Sequence, residues 1–180
     1  MPHRVSRDRS GDRGITSLPR QGVVSKAAMV VAAMGDVDEL SAVLGTAASV
    51  APRALQREIE SLQRDLFEVG ADLAQAKGTP MLATRRVRAL ERKMAAAQAG
   101  LPPLRHFVLP GGAPLAAILH AARAVCRRAE RSAATARESA PFNPIIPAYL
   151  NRLSDYLFVM ARAVNARAHA AEKPWPAPTR

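Results

Sequence analysis

Leu55, Ile59, Leu62, Leu66, Val69 and Leu73 follow one another at intervals of 4, 3, 4, 3 and 4 residues. Only an α-helix returns side chains to one face at that rhythm. Residues 54–77 therefore read as a helix with a single apolar stripe, and such a stripe has to be buried against another element. Gly78 and Pro80 end it. Weaker forms of the same pattern give helices over 27–51, closed by Pro52, and over 84–99, with Val87, Leu90 and Met94 on one side. Two more run over 114–138 and over 144–171, the last with Leu150, Leu153, Leu157, Ala161 and Val164 inward. Residues 1–26 are broken by Gly11, Gly14, Pro19 and Gly22 and read as an irregular loop. Three prolines and two glycines make 101–112 a structured connector, and 173–180 is a Pro-rich, non-helical tail. Long helices with short joins predict an all-α, up-and-down bundle, with 27–172 as its body.

Composition supports this class. The 180 residues are 48% hydrophobic with Ala prominent, and only 4% are aromatic. Such a mixture favours closely packed helices over a β-sandwich, and the length suits one domain. The single cysteine, Cys126, excludes an internal disulfide and a Cys-based metal cluster, and it fits a reducing, cytoplasmic setting. No apolar run approaches the roughly 20 residues of a membrane helix. The Arg-rich start lacks the apolar stretch of a signal peptide. The net charge is +11, and Lys supplies only four of the 26 cations. That charge admits a nucleic-acid binder, a local triphosphate site or mere compositional bias. The scarcity of aromatics counts against a stacking platform for nucleic acid. The expected partners exclude nucleic acid and membrane.

Four segments carry polar chemistry. In SGDRGITS (10–17), Gly11 and Gly14 let the backbone turn so that N–H groups converge on an anion. Ser10, Thr16 and Ser17 add hydroxyls there, and Lys26 is within reach; an ordinary flexible terminus is the bland alternative. In RAVCRRAER (123–131), Arg123, Arg127 and Glu130 share a helix face, flanked by Arg128 and Arg131. A solvated surface would account for such a run, but forked guanidiniums also suit a polyphosphate, with Glu130 orienting them or meeting a ribose. In YLNRLSDYLF (149–158), Asn151 and Asp155 lie one turn apart, and a buried Asn needs a specific partner. In GDVDEL (35–40), Asp38 either pairs with an Arg of another helix or subunit or is a surface carboxylate. His3, His106, His120 and His169 have no metal-ligand spacing, and no Ser/His/Asp order stands out. Phosphate binding is favoured over hydrolysis by a side-chain nucleophile.

These segments, with RDLFEVGADLA (64–74) and FVLPGG (107–112), resemble the PduO-type ATP:cob(I)alamin adenosyltransferases in order and spacing from about residue 5 to 168. The resemblance implies a ferritin-like five-helix bundle, assembled as a homotrimer with each active site between neighbours. It implies that ATP, with Mg²⁺ and in some members K⁺, lies between the N-terminal loop of one subunit and the Arg-rich helix of the next. A Co(I) corrinoid beside it would attack the 5′ carbon of ATP and expel triphosphate. By position, Arg9, Ser10, Gly11, Thr16, Ser17 and Lys26 would hold triphosphate, and Arg127, Arg128, Glu130, Arg131 and Asn151 would complete the nucleotide site. Asp38 would pair with Arg123 across the subunit boundary, and Phe107 would sit under the corrin and exclude a lower ligand. Lys26, Arg127 and Phe107 are the expected catalytic residues. Further partners would be a reductase and an adenosylcobalamin-dependent enzyme.

The N-terminal loop differs from the usual pattern of that family. Asp8, Ile15 and Val23 replace two Thr and an Arg; Arg20-Gln21 replaces Gly-Gly; Ala27, Ala28, Val30 and Ala32 replace charged residues. A second reading therefore stands beside the enzyme: a non-catalytic relative that binds ATP or cobalamin as a carrier, sensor or partner subunit.

Overall fold

The computed structural model describes residues 9–75, 78–139 and 141–175. A short 3-10 turn, Arg9–Arg13, leads into two strands, β1 (Ile15–Leu18) and β2 (Gly22–Ser25). Three helices follow: α1 (Met29–Ser49), α2 (Arg53–Ala74) and α3 (Thr84–Gln98). A two-residue strand, β3 (Phe107–Val108), precedes α4 (Pro114–Ser139) and α5 (Ile145–Arg167), and β4 (Pro174–Trp175) closes the described chain. α4 packs between α1 and α5; α2 packs on α1 and also bonds to α5 through Tyr149–Asp65 and Tyr156–Glu58; α3 packs on α5 and pairs with α2 through Arg86 and Lys93. The expected five-helix bundle is therefore present among the described residues.

The α2 stripe is buried as its spacing requires: Ile59, Leu62, Leu66, Val69 and Leu73 are inside, with Leu55 at the margin. The inward face of α4 is mostly Ala, with Ala116, Ala122, Ala129 and Ala133 fully buried. Small side chains let α4 approach both neighbours closely. Leu40 and Leu44 of α1 and Leu150, Leu153 and Leu157 of α5 fill the remaining space. This is how a chain with few aromatics reaches a dense core.

Residues 15–25 correct the expectation of an irregular N-terminus, because they form an antiparallel hairpin pairing Ile15 with Ser25 and Leu18 with Gly22. Its turn uses left-handed backbone at Arg20 (φ 61°) and Gly22 (φ 73°). Leu18 enters the core. Gln21 Nε2 donates to the carbonyls of Leu73 (3.2 Å) and Ala74 (2.9 Å), at the end of α2 where helix carbonyls lack partners. The residue pair that breaks the family's loop pattern thus includes the one that docks the hairpin.

α5 stops earlier than expected, since His169 turns left-handed (φ 50°) and the Ala170 amide returns to Asn165 O at 2.9 Å. The tail then pairs with the connector, Phe107 opposite Trp175 and Val108 opposite Pro174.

The buried carboxylate of Asp72 joins three segments. It accepts from the amides of Met81 (2.7 Å) and Leu82 (3.0 Å) and from Asn143 Nδ2 (2.6 Å). Changing Asp72 to Ala strands these donors and is expected to lower stability by about 3 kcal/mol, with Asn costing less because one oxygen still accepts. Urea unfolding at fixed protein concentration checks this; a midpoint equal to wild type would show the hub to be dispensable.

Candidate functional site

The N-terminal turn is organised around Lys26. Its backbone amide donates to Gly14 O and its Nζ donates to Gly11 O, both at 2.8 Å. Gly14 holds φ +74°, which glycine adopts without strain. Thr16 and Ser17 stand next to each other on β1, opposite Val24 and Val23, so their side chains leave opposite faces of the ribbon. Ser17 is exposed and Thr16 half-buried. The backbone of Arg9 and Ser10 belongs to the 3-10 turn; their side chains lie outside the described part of the structure. The result is an exposed ammonium over a glycine turn.

On α4, Arg127 and Arg131 point to solvent, and Arg131 Nη1 donates to Arg127 O at 3.0 Å. Glu130, on the same face, accepts from Asn151 Nδ2 at 3.0 Å, so α5 fixes its carboxylate. Asn151 thereby has the specific partner that its position demands. Arg128 turns the other way. Its Nε donates to Asp36 Oδ1 at 2.9 Å and an Nη donates to Glu39, while Ser132 Oγ donates to Asp36 Oδ2 at 2.5 Å. In this chain Arg128 ties α4 to α1, whereas the Arg127 side chain is exposed and makes no bond among the described residues. Cys126 between the helices donates to Leu150 O at 3.2 Å, and burial pushes its thiol far above the ordinary range, so it is no nucleophile.

Arg123 is half-buried and its Nε finds no acceptor. Asp38 is exposed on α1 and lines a groove of about 700 Å³ between α1 and α2, with Phe67 on the same wall. Asp38 and Arg123 form no ion pair among the described residues. Among the described residues, neither do Lys26, Arg127 or Arg131, although eight such contacts occur elsewhere. One turn before Arg123, buried His120 has an unpartnered Nδ1. Burial first, and then Arg123, push its imidazole down, which keeps it neutral.

Phe107 projects from the connector and is 81% exposed, with Trp175 beside it across the strand pair. Two α5 residues absent from the sequence-based set hold this connector from behind. Buried Asn165 accepts from the Ala113 amide (2.9 Å) and donates to Gly111 O (3.0 Å). Buried Arg162 donates to Pro102 O (3.0 Å) and pairs with Glu172 (2.9 Å). The signal that could have found Asn165 is the Gly111-Gly112 pair, since a turn with no Cβ invites a buried side chain against it. Among the described residues no three His, Cys, Asp or Glu side chains form a metal-holding group.

The cobalamin adenosyltransferase family matches residues 7–164, nearly the whole chain. The chain belongs to this family. It is 42% identical over 167 residues to the corrinoid adenosyltransferase of Mycobacterium tuberculosis, covering 87% of this chain and 86% of that protein. To the corrinoid adenosyltransferase of Bacillus subtilis it is 37% identical over 167 residues, covering 89% and 86%. Its fold matches a PduO-type ATP:corrinoid adenosyltransferase from Lactobacillus reuteri, a phenylalanine-to-alanine variant complexed with cobalamin and ATP. That match has a TM-score of 0.88 and 32% identity, and covers 92% of this chain and 96% of that one. As a member, the protein is an enzyme that transfers the 5′-deoxyadenosyl group of ATP to the cobalt of a corrinoid. None of its described helices is long and apolar enough to cross a membrane.

Proposed function

We propose that this adenosyltransferase works as a homotrimer, with each active site divided between two copies of the chain. One copy supplies Gly11, Thr16, Ser17 and Lys26, with Arg9 and Ser10, to the triphosphate. The next supplies Arg127, Arg131, Glu130 and Asn151. The observation that carries the reading is the exposed Lys26 ammonium over the glycine turn, together with Arg127 and Arg131 exposed on one face of α4 beside a Glu130 that Asn151 fixes; none of the three cations has an ion pair among the described residues. The reading is supported by the docking of the hairpin turn on α2 through Gln21, while the arginines sit on α4. Asp38 and Arg123, each without an ion pair among the described residues, then meet across the boundary, and Arg128 acts by holding the arginine face on α1. In this scheme residues 1–26 are the nucleotide loop, 27–172 the bundle and 173–180 the tail.

The chemistry asks little of side chains beyond placement and charge. A one-electron reductant, supplied by a reductase in the cytoplasm, converts the Co(II) corrinoid substrate to Co(I). The cobalt electron pair forms the bond to C5′ of ATP, the C5′–O bond breaks, and its electrons leave on triphosphate. Orienting the two reactants is worth up to about 7–11 kcal/mol of barrier. Lys26, Arg127 and Arg131 meet the charge that grows on the leaving oxygens. Glu130, fixed by Asn151, suits a ribose hydroxyl. Mg²⁺ fits as a companion of the phosphate oxygens, since it is commonly held through substrate phosphates rather than by a protein cage; K⁺ would sit among the same oxygens. Phe107 lies under the corrin, where its exposed ring keeps water from the cobalt and so eases reduction. The adenosylated product passes to an enzyme that uses adenosylcobalamin.

The test is an anaerobic assay with ATP, Mg²⁺ and chemically reduced cobalamin. Steady formation of adenosylcobalamin is expected. Corrinoid binding without product over many hours would instead make this chain a carrier.

A further inference from the structure

We infer that Asn165 and Arg162 of α5 are positioning residues that set the height and tilt of Phe107 beneath the corrin; the inference rests on the placement of Phe107 proposed above. The two side chains are three residues apart, on one helix face, and are 3% and 6% exposed. Together they grip both ends of the segment that carries Phe107. Arg162 Nη2 holds its start at Pro102 O (3.0 Å). Asn165 holds its end, donating to Gly111 O (3.0 Å) and accepting from the Ala113 amide (2.9 Å). The fit at that end is steric as well as polar, since Gly112 has φ +101° and any Cβ there would overlap the Asn165 amide. The middle is held by the tail: the Leu109 amide donates to Lys173 O (2.9 Å), Val108 pairs with Pro174, and Glu172 is pinned by Arg162 Nε (2.9 and 3.2 Å).

Burying an amide and a guanidinium is costly unless every bond is made, and an apolar pair would pack this helix end more simply. What the polar pair adds is a single conformation for the loop. An aromatic ring that is 81% exposed gains little from its own packing. Its position is therefore only as definite as the backbone beneath it. A displacement of about 1 Å in a reacting assembly can cost 100-fold in rate. The clamp is the part of this fold able to prevent that displacement.

The experiment compares wild type, Phe107→Ala, Asn165→Ala, Asn165→Asp, Gly112→Ala and Arg162→Lys as full-length proteins. The readouts are ATP affinity by calorimetry, kcat and KM, and the electron paramagnetic resonance signal of four-coordinate Co(II) formed from cob(II)alamin and ATP. Asn165→Ala and Gly112→Ala are expected to bind ATP normally, to lose most of the four-coordinate signal as Phe107→Ala does, and to lower kcat about 10- to 100-fold with KM for ATP unchanged. Asn165→Asp keeps the acceptor for Ala113 and loses the donor to Gly111, so it should fall between. Asn165→Asp and Arg162→Lys also serve as the readout if the Ala variants fail to fold. Folded variants that give a wild-type signal, while Phe107→Ala loses it, would overturn the clamp and leave the role of Phe107 standing. A wild type without the signal, unchanged by Phe107→Ala, would overturn both.

Discussion

Arg127→Ala is expected to lower kcat by about 100- to 1,000-fold, the range seen when one pre-placed donor to a developing anion is removed. Its guanidinium is exposed and makes no hydrogen bond or ion pair among the described residues. The substitution therefore opens no cavity and strands no partner, and stability should change by no more than about 0.5 kcal/mol. Arg127→Lys keeps the charge but loses the planar fork, so its loss should be smaller. Arg128 is the internal control. It is the next residue, has the same chemistry, and is committed to Asp36 and Glu39 on α1. Its removal should lower the unfolding midpoint more than Arg127→Ala does, and should affect turnover indirectly, through looser packing of α4 on α1. Steady-state kinetics and urea unfolding on the pair separate the roles. Full activity in Arg127→Ala together with a dead Arg128→Ala would reverse the assignment.

That two neighbouring arginines diverge marks the boundary of what sequence can tell. The helices were legible because large apolar residues recur at 3 and 4, as Ile59, Leu62, Leu66, Val69 and Leu73 do, and burial of such a stripe outweighs every weaker local preference. Which side of α4 meets α1 is set by packing, and only packing separates Arg127 from Arg128. The requirement for a partner at Asn151 was readable, but the identity of that partner, Glu130, waited for α4 to lie on α5. The hairpin is not legible in the sequence because two four-residue strands have too little alternation to register. It is held by Leu18 in the core and Gln21 on the end of α2, both distant in sequence. The pairing of Phe107–Val108 with Pro174–Trp175 is shorter still and joins segments far apart in the chain. Asn165 and Arg162 carry no local signal, because polar residues near a helix end are ordinarily solvated and nothing in the sequence around them says that a connector will fold over them.

Mixing two inactive variants is expected to restore activity. Lys26→Ala removes the ammonium that lies over the glycine turn, and Arg127→Ala removes the guanidinium on α4; each alone should retain about 1% of activity or less. If every site takes its loop from one copy and its arginine helix from the next, random hybrid trimers contain sites whose loop and helix both come from the intact halves. With equal amounts, half the loops and half the helices are wild type. They are drawn independently, so roughly a quarter of all sites are complete. Recovery to about a quarter of wild-type activity follows, at least 20 times either parent. The double variant Lys26→Ala/Arg127→Ala mixed with Lys26→Ala should recover nothing, because no copy in that mixture has an intact loop. The same logic tests the boundary: mixing requires exchange or co-expression, and the proposed Asp38–Arg123 pair should govern how readily copies separate. A site built within one chain makes the opposite forecast, since each copy then carries one broken half and no arrangement of subunits repairs it. Activity of the mixture at the level of its parents would place Lys26 and Arg127 on the same chain's site.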